Sequence, residues 1–383
     1  MAAVVVARSC GPSGRGTIVT LTVWGQILGW LAAFSMDKAL VVLTSGENAV
    51  ASPDEGLSAL RVPLLFTSGI ALAASVALGG RLFTSGWLVA SLCVLAVATA
   101  QGELIAGWLL AMGHRSRFIL WRLAQPAIYL ALTIAVALAF QSALLSTRII
   151  VMGAGATASM VIPVALGFQW LRSRQGSPRG RSALLKFASI AHVGVVLQYL
   201  NGRLDVLALS FMVTPAALGY YSAGAALGQI ALITASAGVI RGITRRATGV
   251  DLVGLAVAGA LAVIVIVVAP VVVPAVFGDQ FRPAVPVARI LALGAVMNYA
   301  LQASCGQLVG MRRPALVAIS QGVGVAVFAV GILMFPNVYG VAWSSVGSFA
   351  VSLLITQMML RMIAHKSVGG RDLELIGEPK QRA

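Results

Sequence analysis

Between Leu252 and Phe277 the chain reads LVGLAVAGALAVIVIVVAPVVVPAVF, without one charged side chain. About 20 such residues suffice for a helix to cross the roughly 30 Å hydrocarbon core of a bilayer. The run is one of eleven. Apolar windows fall at 18–44, 61–79, 86–111, 119–141, 147–169, 187–212, 217–240, 252–276, 284–309, 314–335 and 338–361. In lipid, only helices and closed barrels satisfy their own backbone. The short alternating segments of a barrel are absent. These windows predict an all-α polytopic membrane protein. Composition agrees: 59% of residues are hydrophobic and 10% are charged, against about 25% charged in soluble domains.

Ahead of the first window stands only MAAVVVAR. It is too short to span and lacks the layout of a signal peptide. It reads as the end of a truncated first span, so about eleven complete spans of an expected twelve are predicted. The net charge of +16 has a topological reading. One alternating set of connections and flanks carries Arg61; Arg115, Arg117 and Arg122; Arg172, Arg174, Arg179, Arg181 and Lys186; Arg241, Arg245 and Arg246; Arg312 and Arg313; and the basic tail. The other set has little more than Arg81, Arg148 and Arg282. The basic set is expected to be cytoplasmic, with the C-terminus inside. This makes a nucleic-acid partner unnecessary. The richest connection divides the chain into an N-terminal bundle (1–169), a basic linker (170–186), a C-terminal bundle (187–364) and a short tail (365–383).

Cys10, Cys93 and Cys305 lie far apart, with neither disulfide nor metal-ligand spacing. No HExxH, GxSxG or Walker A pattern occurs. The loops opposite the basic set are too short for a catalytic domain. The expectation is therefore not an enzyme, and no cofactor, with transport driven by an ion gradient such as protons or sodium, by the membrane potential, or by downhill coupling to later metabolism.

Charges at membrane depth usually face a bundle interior or a watery cavity, because burial costs about 2.5–3.5 kcal/mol or more. The candidates for substrate binding or ion coupling are Asp37 and Lys38, Glu103, Arg203 and Asp205, and Arg289. Each has a plainer reading. Lys38 and Arg289 can snorkel to an interface, Asp37 can pair with Lys38 or cap a broken helix, and Glu103 can be structurally paired. Arg203 and Asp205, two residues apart, point in nearly opposite directions on a helix. One is expected to reach the headgroups and the other the central cavity. Amides such as Gln198, Asn201, Gln229, Asn298 and Gln302 are read chiefly as links between helices. Pro126 and Pro163 are the best-placed hinge candidates.

Four stretches carry a family resemblance: RSCGPSGRG at Arg8–Gly16, RLDVLALSFMVTPAALGYYSAGAAL from Arg203, VFGDQFRPAVPVARILALG at Val276–Gly294, and GVAWSSVGS at Gly340–Ser348. In order and spacing they resemble the polysaccharide biosynthesis flippases, which serve O-antigen and exopolysaccharide pathways. These belong to the multidrug, oligosaccharidyl-lipid and polysaccharide exporter superfamily. The resemblance implies two bundles of six helices around a central cavity, and alternating access. It implies flipping of an undecaprenyl-type lipid-linked oligosaccharide in a bacterial cytoplasmic membrane, in company with membrane lipids and polysaccharide polymerase machinery. Asp37, Lys38, Glu103, Arg203, Asp205 and Arg289 would then meet the pyrophosphate and the coupling ion. The nearest alternative is an ion-coupled multidrug or cation exporter of the same superfamily, whose site should favour acidic and aromatic groups.

Overall fold

A computed structural model describes residues 1–44, 50–172, 180–228, 252–311 and 313–376. Gln229, Arg241, Arg245, Arg246, the rest of the connection up to 251, the linker's middle at 173–179, Arg312 and residues 377–383 lie outside them. The regular structure of the described residues is all helical, with no strand among them. In chain order the helices are α1 (Ala2–Ala33), α2 (Met36–Thr44), α3 (Pro53–Leu82), α4 (Gly86–Ala111), α5 (Arg115–Ala139), α6 (Leu145–Arg172) and α7 (Arg181–Met212). Then come α8, helical at 215–228, α9 (Leu252–Phe277), a 3-10 turn (Asp279–Phe281), α10 (Ala284–Gly310), α11 (Pro314–Met334) and α12 (Val338–Ile376). Among the described residues, ten helices are long and apolar enough to cross a membrane.

The first expected window, 18–44, is divided between α1 and α2 at Phe34 and Ser35. Both residues have positive φ, 48° and 51°. Left-handed backbone costs an ordinary L-residue roughly 1–2 kcal/mol, so packing must hold this break in place. α1 contains a second break at Gly11, with φ 64° and ψ −171°, followed by Pro12. A straight helix would separate residues 3 and 15 by about 18 Å. Arg15 Nη1 nevertheless donates to the Ala3 carbonyl at 2.6 Å, so the chain bends sharply at Gly11. Pro126 and Pro163 lie inside α5 and α6 with no non-helical residue there. The two breaks in α1–α2, rather than these prolines, are the discontinuities.

Two bundles result. α4 is the centre of the first, packed by α1, α2, α3 and α6, with α5 against α6; α12 is the centre of the second, packed by α10 and α11. Their cores differ from their outer faces as lipid immersion requires. Leu92, Leu104, Ile105 and Leu109 of α4 are buried, whereas Val263, Ile264, Val267 and Val271 of α9 are exposed. The bundles meet where α7 packs on α1, α2 and α3 and where α1 reaches α9. Helices extend into both flanks of the expected linker, to Arg172 and from Arg181, and α12 continues to Ile376 through most of the expected tail. The sparsely charged connections gather at one end. Arg8 donates to the carbonyls of Ala275 and Val276, and Arg148 donates to the Ser9 carbonyl at 2.8 Å. This end is the opposite face, and the other is the basic face.

Candidate functional site

The seam between the bundles holds a cluster of four charges near the basic face. Helix α2 starts immediately after the Phe34–Ser35 break and lies on Gly107 of α4; a Cβ there would sit 2.7 Å from Asp37 Cα. Glu103 is one turn before Gly107 and shares its face. This close approach brings Asp37 and Lys38 beside Glu103. Lys38 Nζ pairs with Asp37 Oδ2 at 2.7 Å. Arg122 of α5 grips Glu103 with two parallel bonds of 2.8 Å, the bidentate geometry that makes such pairs strong. Its guanidinium also lies 5.5 Å from the Phe118 ring centroid.

The opposing wall is α7. Tyr199 stacks on Trp30 with centroids 4.0 Å apart and planes 16° from parallel. Two turns earlier on α7, His192 approaches the Ser35 hydroxyl at 3.3 Å and packs on Phe34 at 4.5 Å. His192 and Tyr199 are seven residues apart and therefore share a face. Contacts from the second bundle thus hold the strained break. A void of about 10 Å³ remains, bordered by Trp30, Ser35, Asp37, Lys38, Glu103 and Tyr199, room for about one water.

The charges are unequally exposed. The side chains of Lys38 and Arg122 are 43% and 46% exposed, against 14% and 11% for Asp37 and Glu103. The carboxylates are withdrawn behind their cations. Glu103 lies ~12 Å from the basic-face end of α4, and Arg122 ~10 Å from that of α5, at about 1.5 Å per residue.

The structure therefore brings together three of the six sequence candidates, Asp37, Lys38 and Glu103. Asp205 stands apart, toward the opposite face: Oδ2 accepts from the Tyr221 hydroxyl at 2.6 Å and Oδ1 from the Val206 amide at 2.7 Å. Arg203 is half-buried and near enough to act electrostatically on both members of that pair. Gln198, Asn201 and Asp205 form a polar stripe on α7. Gln198 donates to Gln302, and Asn201 donates to Gln321 at 2.7 Å and accepts from Ser348. These amides join helices within the second bundle, as the sequence reading favours.

Arg289 is exposed and does not join the four-charge cluster, and its Nε donates to the Ile266 carbonyl at 3.0 Å. That carbonyl is the one Pro270, four residues on, leaves without a helical donor. Arg289 thus mends a proline gap in α9. Arg289→Ala is expected to cost about 1 kcal/mol in thermal unfolding of the solubilised protein. In a Pro270→Ala background, which restores the amide, it should cost almost nothing; equal losses in both backgrounds would refute the repair.

Sequence reasoning misses Arg122, Trp30, Tyr199 and His192. Arg122 reads as part of a loop flank, and the signal that corrects it is Glu103, since a carboxylate so deep needs a cation.

No protein-family model and no curated protein matches the chain. Solved structures do. "Inward-facing conformation of a multidrug resistance MATE family transporter of the MOP superfamily" is similar at TM-score 0.67 and 13% identity, over 94% of this chain and 92% of that one. The MATE multidrug transporter DinF-BH, solved as a complex, is similar at TM-score 0.66 and 13% identity, over 94% and 90%. A MATE in the bent conformation is similar at TM-score 0.58 and 15% identity, over 96% and 92%. The chain has the MATE-like transporter fold of two helical bundles. At this identity the likeness is one of fold.

Proposed function

We propose that the chain is an alternating-access transporter that flips a prenyl-pyrophosphate-linked oligosaccharide from the basic face to the opposite face of a bacterial cytoplasmic membrane, its C-terminus cytoplasmic. The observation that carries this reading is the exposure pattern of the four-charge cluster. The Lys38 and Arg122 side chains are the more exposed members of their pairs and those of Asp37 and Glu103 the more withdrawn, so a group reaching the cluster meets the cationic side chains first. A pyrophosphate suits such a face, and cations form strong charge-assisted bonds to phosphate oxygens. The stacked Trp30–Tyr199 pair stands beside it, and aromatic groups suit contact with sugar rings. The prenyl tail stays in lipid, because it gains nothing by entering a wet seam. No covalent bond changes, and no cofactor is required; a proton or sodium gradient supplies the drive. Asp205, hydrogen-bonded to a hydroxyl and a backbone amide, is the candidate coupling group, and polymerase machinery is the candidate partner.

A second reading, export of cationic drugs, is favoured by the solved structures of similar fold, which are described as multidrug transporters. One experiment separates the two. Leaflet-resolved accumulation of prenyl-linked oligosaccharide is measured in deletion cells complemented by wild type, Lys38→Arg or Lys38→Gln. Deletion should trap the lipid on the basic face, with wild type and Lys38→Arg clearing it. Lys38→Gln should slow clearance by about tenfold or more, the worth of one charged hydrogen bond. Unchanged sidedness together with heightened sensitivity to cationic drugs would replace this reading with the second.

A further inference from the structure

Two short stretches, one from each bundle, meet where the seam reaches the opposite face. After its break, α1 resumes with Pro12, followed four residues later by Gly16; α8 begins with Pro215, followed four residues later by Gly219. Proline in a first helical turn forfeits no needed donor, and four residues is one helical turn, so each glycine lies on its proline's face. The start of α8 is fixed by Thr214, whose hydroxyl accepts from the Ala217 amide at 3.3 Å.

The contact is reciprocal. A Cβ added to Gly16 would lie 1.8 Å from the Pro215 carbonyl oxygen, and one added to Gly219 would lie 1.9 Å from that of Pro12. Backbone touches backbone, and neither side has room for a methyl. Arg15, in the same turn of α1 as Gly16, is 3% exposed. It spans the seam by donating from Nη2 to the Ser222 carbonyl at 2.8 Å, while its guanidinium lies 5.2 Å from the Phe277 ring centroid. Its Nε is buried without a partner. The bonds that hold this cation at the seam run to carbonyls, not to a carboxylate. Water can replace such bonds as the surfaces part.

We propose that Pro12–Gly16 and Pro215–Gly219, each opening a helical run directly after a break, together seal the opposite face and separate when that face opens. The proposal rests on the alternating-access part of the reading above and not on its substrate. Small residues let helix backbones approach closely in lipid, and a backbone contact forms and parts without side-chain repacking. Because carbonyl oxygens, not flexible side-chain ends, occupy the space, added volume on either glycine cannot be absorbed by a rotamer change.

The test is a labelling rate. Ser222, 6% exposed behind the contact, is replaced by Cys in a chain whose Cys10, Cys93 and Cys305 are Ala. A membrane-impermeant maleimide is added to intact cells, on the side away from the basic loops. Gly16→Val and Gly219→Val should each raise the rate at least about tenfold, equivalent to roughly 1.4 kcal/mol. Gly80→Val should not, since nothing lies within 4 Å of a Cβ there. Unchanged labelling in both variants, with the protein monodisperse and present in the membrane, overturns the seal. Should valine prevent insertion, Arg15→Gln removes the cross-seam bond without adding volume; it should still raise labelling, and no rise overturns the proposal. The assay needs no transported substrate, so loss of the lipid-linked sugar reading leaves its outcome intact.

Discussion

Arg122→Ala is expected to destabilise the solubilised protein by about 3 kcal/mol, and Glu103→Ala by only about 1 kcal/mol. The asymmetry follows from exposure. Removing Arg122 leaves a carboxylate whose side chain is 11% exposed, whereas removing Glu103 leaves a guanidinium that is 46% exposed and free to turn outward. Lys38, on the adjoining turn of α2 and already paired at 2.7 Å with Asp37, is the nearest substitute cation. Its help keeps the cost at the lower end of the range for breaking a buried pair. The double variant Glu103→Gln/Arg122→Gln removes both charges and should recover most of what Arg122→Ala loses. Thermal or denaturant unfolding in detergent, arranged as a double-mutant cycle, measures these differences. Equal losses for the two single variants would mean that the carboxylate is not withdrawn behind its cation, and the argument for an anion-facing site would go with it.

That pair also marks the limit of what the sequence discloses. The spans are legible because an apolar run of bilayer length has few other uses. Arg8 at α9 and Arg148 at Ser9 show that the segments around residues 8, 148 and 276 meet at one end. Glu103 is marked by depth alone. Its partner is hidden because Arg122 follows Arg115 and Arg117 within one turn or two, and the three read together as a single topological flank. Only the packing of α5 beside α4 separates the one that enters the seam. Arg289 shows a further limit: depth makes it a candidate, but nothing in one dimension tells that its guanidinium reaches the carbonyl Pro270 leaves without a helical donor. The Phe34–Ser35 break is illegible for a different reason. Neither residue signals left-handed backbone, and the contacts that hold it come from His192, 157 residues along the chain from Ser35. The reciprocal prolines and glycines lie in two of the quoted motifs, yet nothing in one dimension says that they face each other.

Trp108→Ala is the other large effect expected. The side chain is 2% exposed in the first bundle's core, among Leu40, Leu57, Leu60 and Leu104. Its indole N–H donates to Asp54 Oδ1 at 3.0 Å. Truncating a buried Trp costs about 3–5 kcal/mol in soluble cores. Within lipid the transfer part of that figure shrinks, since the surroundings are as apolar as the core, but the dispersion lost to an unfilled cavity remains. The loss should therefore fall near the lower bound, about 3 kcal/mol. Trp108→Phe separates the contributions: it retains most of the volume and forfeits the bond to Asp54, for about 1.5 kcal/mol. Trp108 is adjacent to Gly107, on which α2 rests. A cavity there loosens the support of Asp37 and Lys38, while the phenylalanine variant leaves it filled. Trp108→Ala should thus impair lipid clearance at temperatures well below its unfolding midpoint, and Trp108→Phe should impair it only near that midpoint. If both variants lose clearance and stability in the same proportion, the tryptophan serves stability alone and the α2–α4 contact at Gly107 does not depend on it.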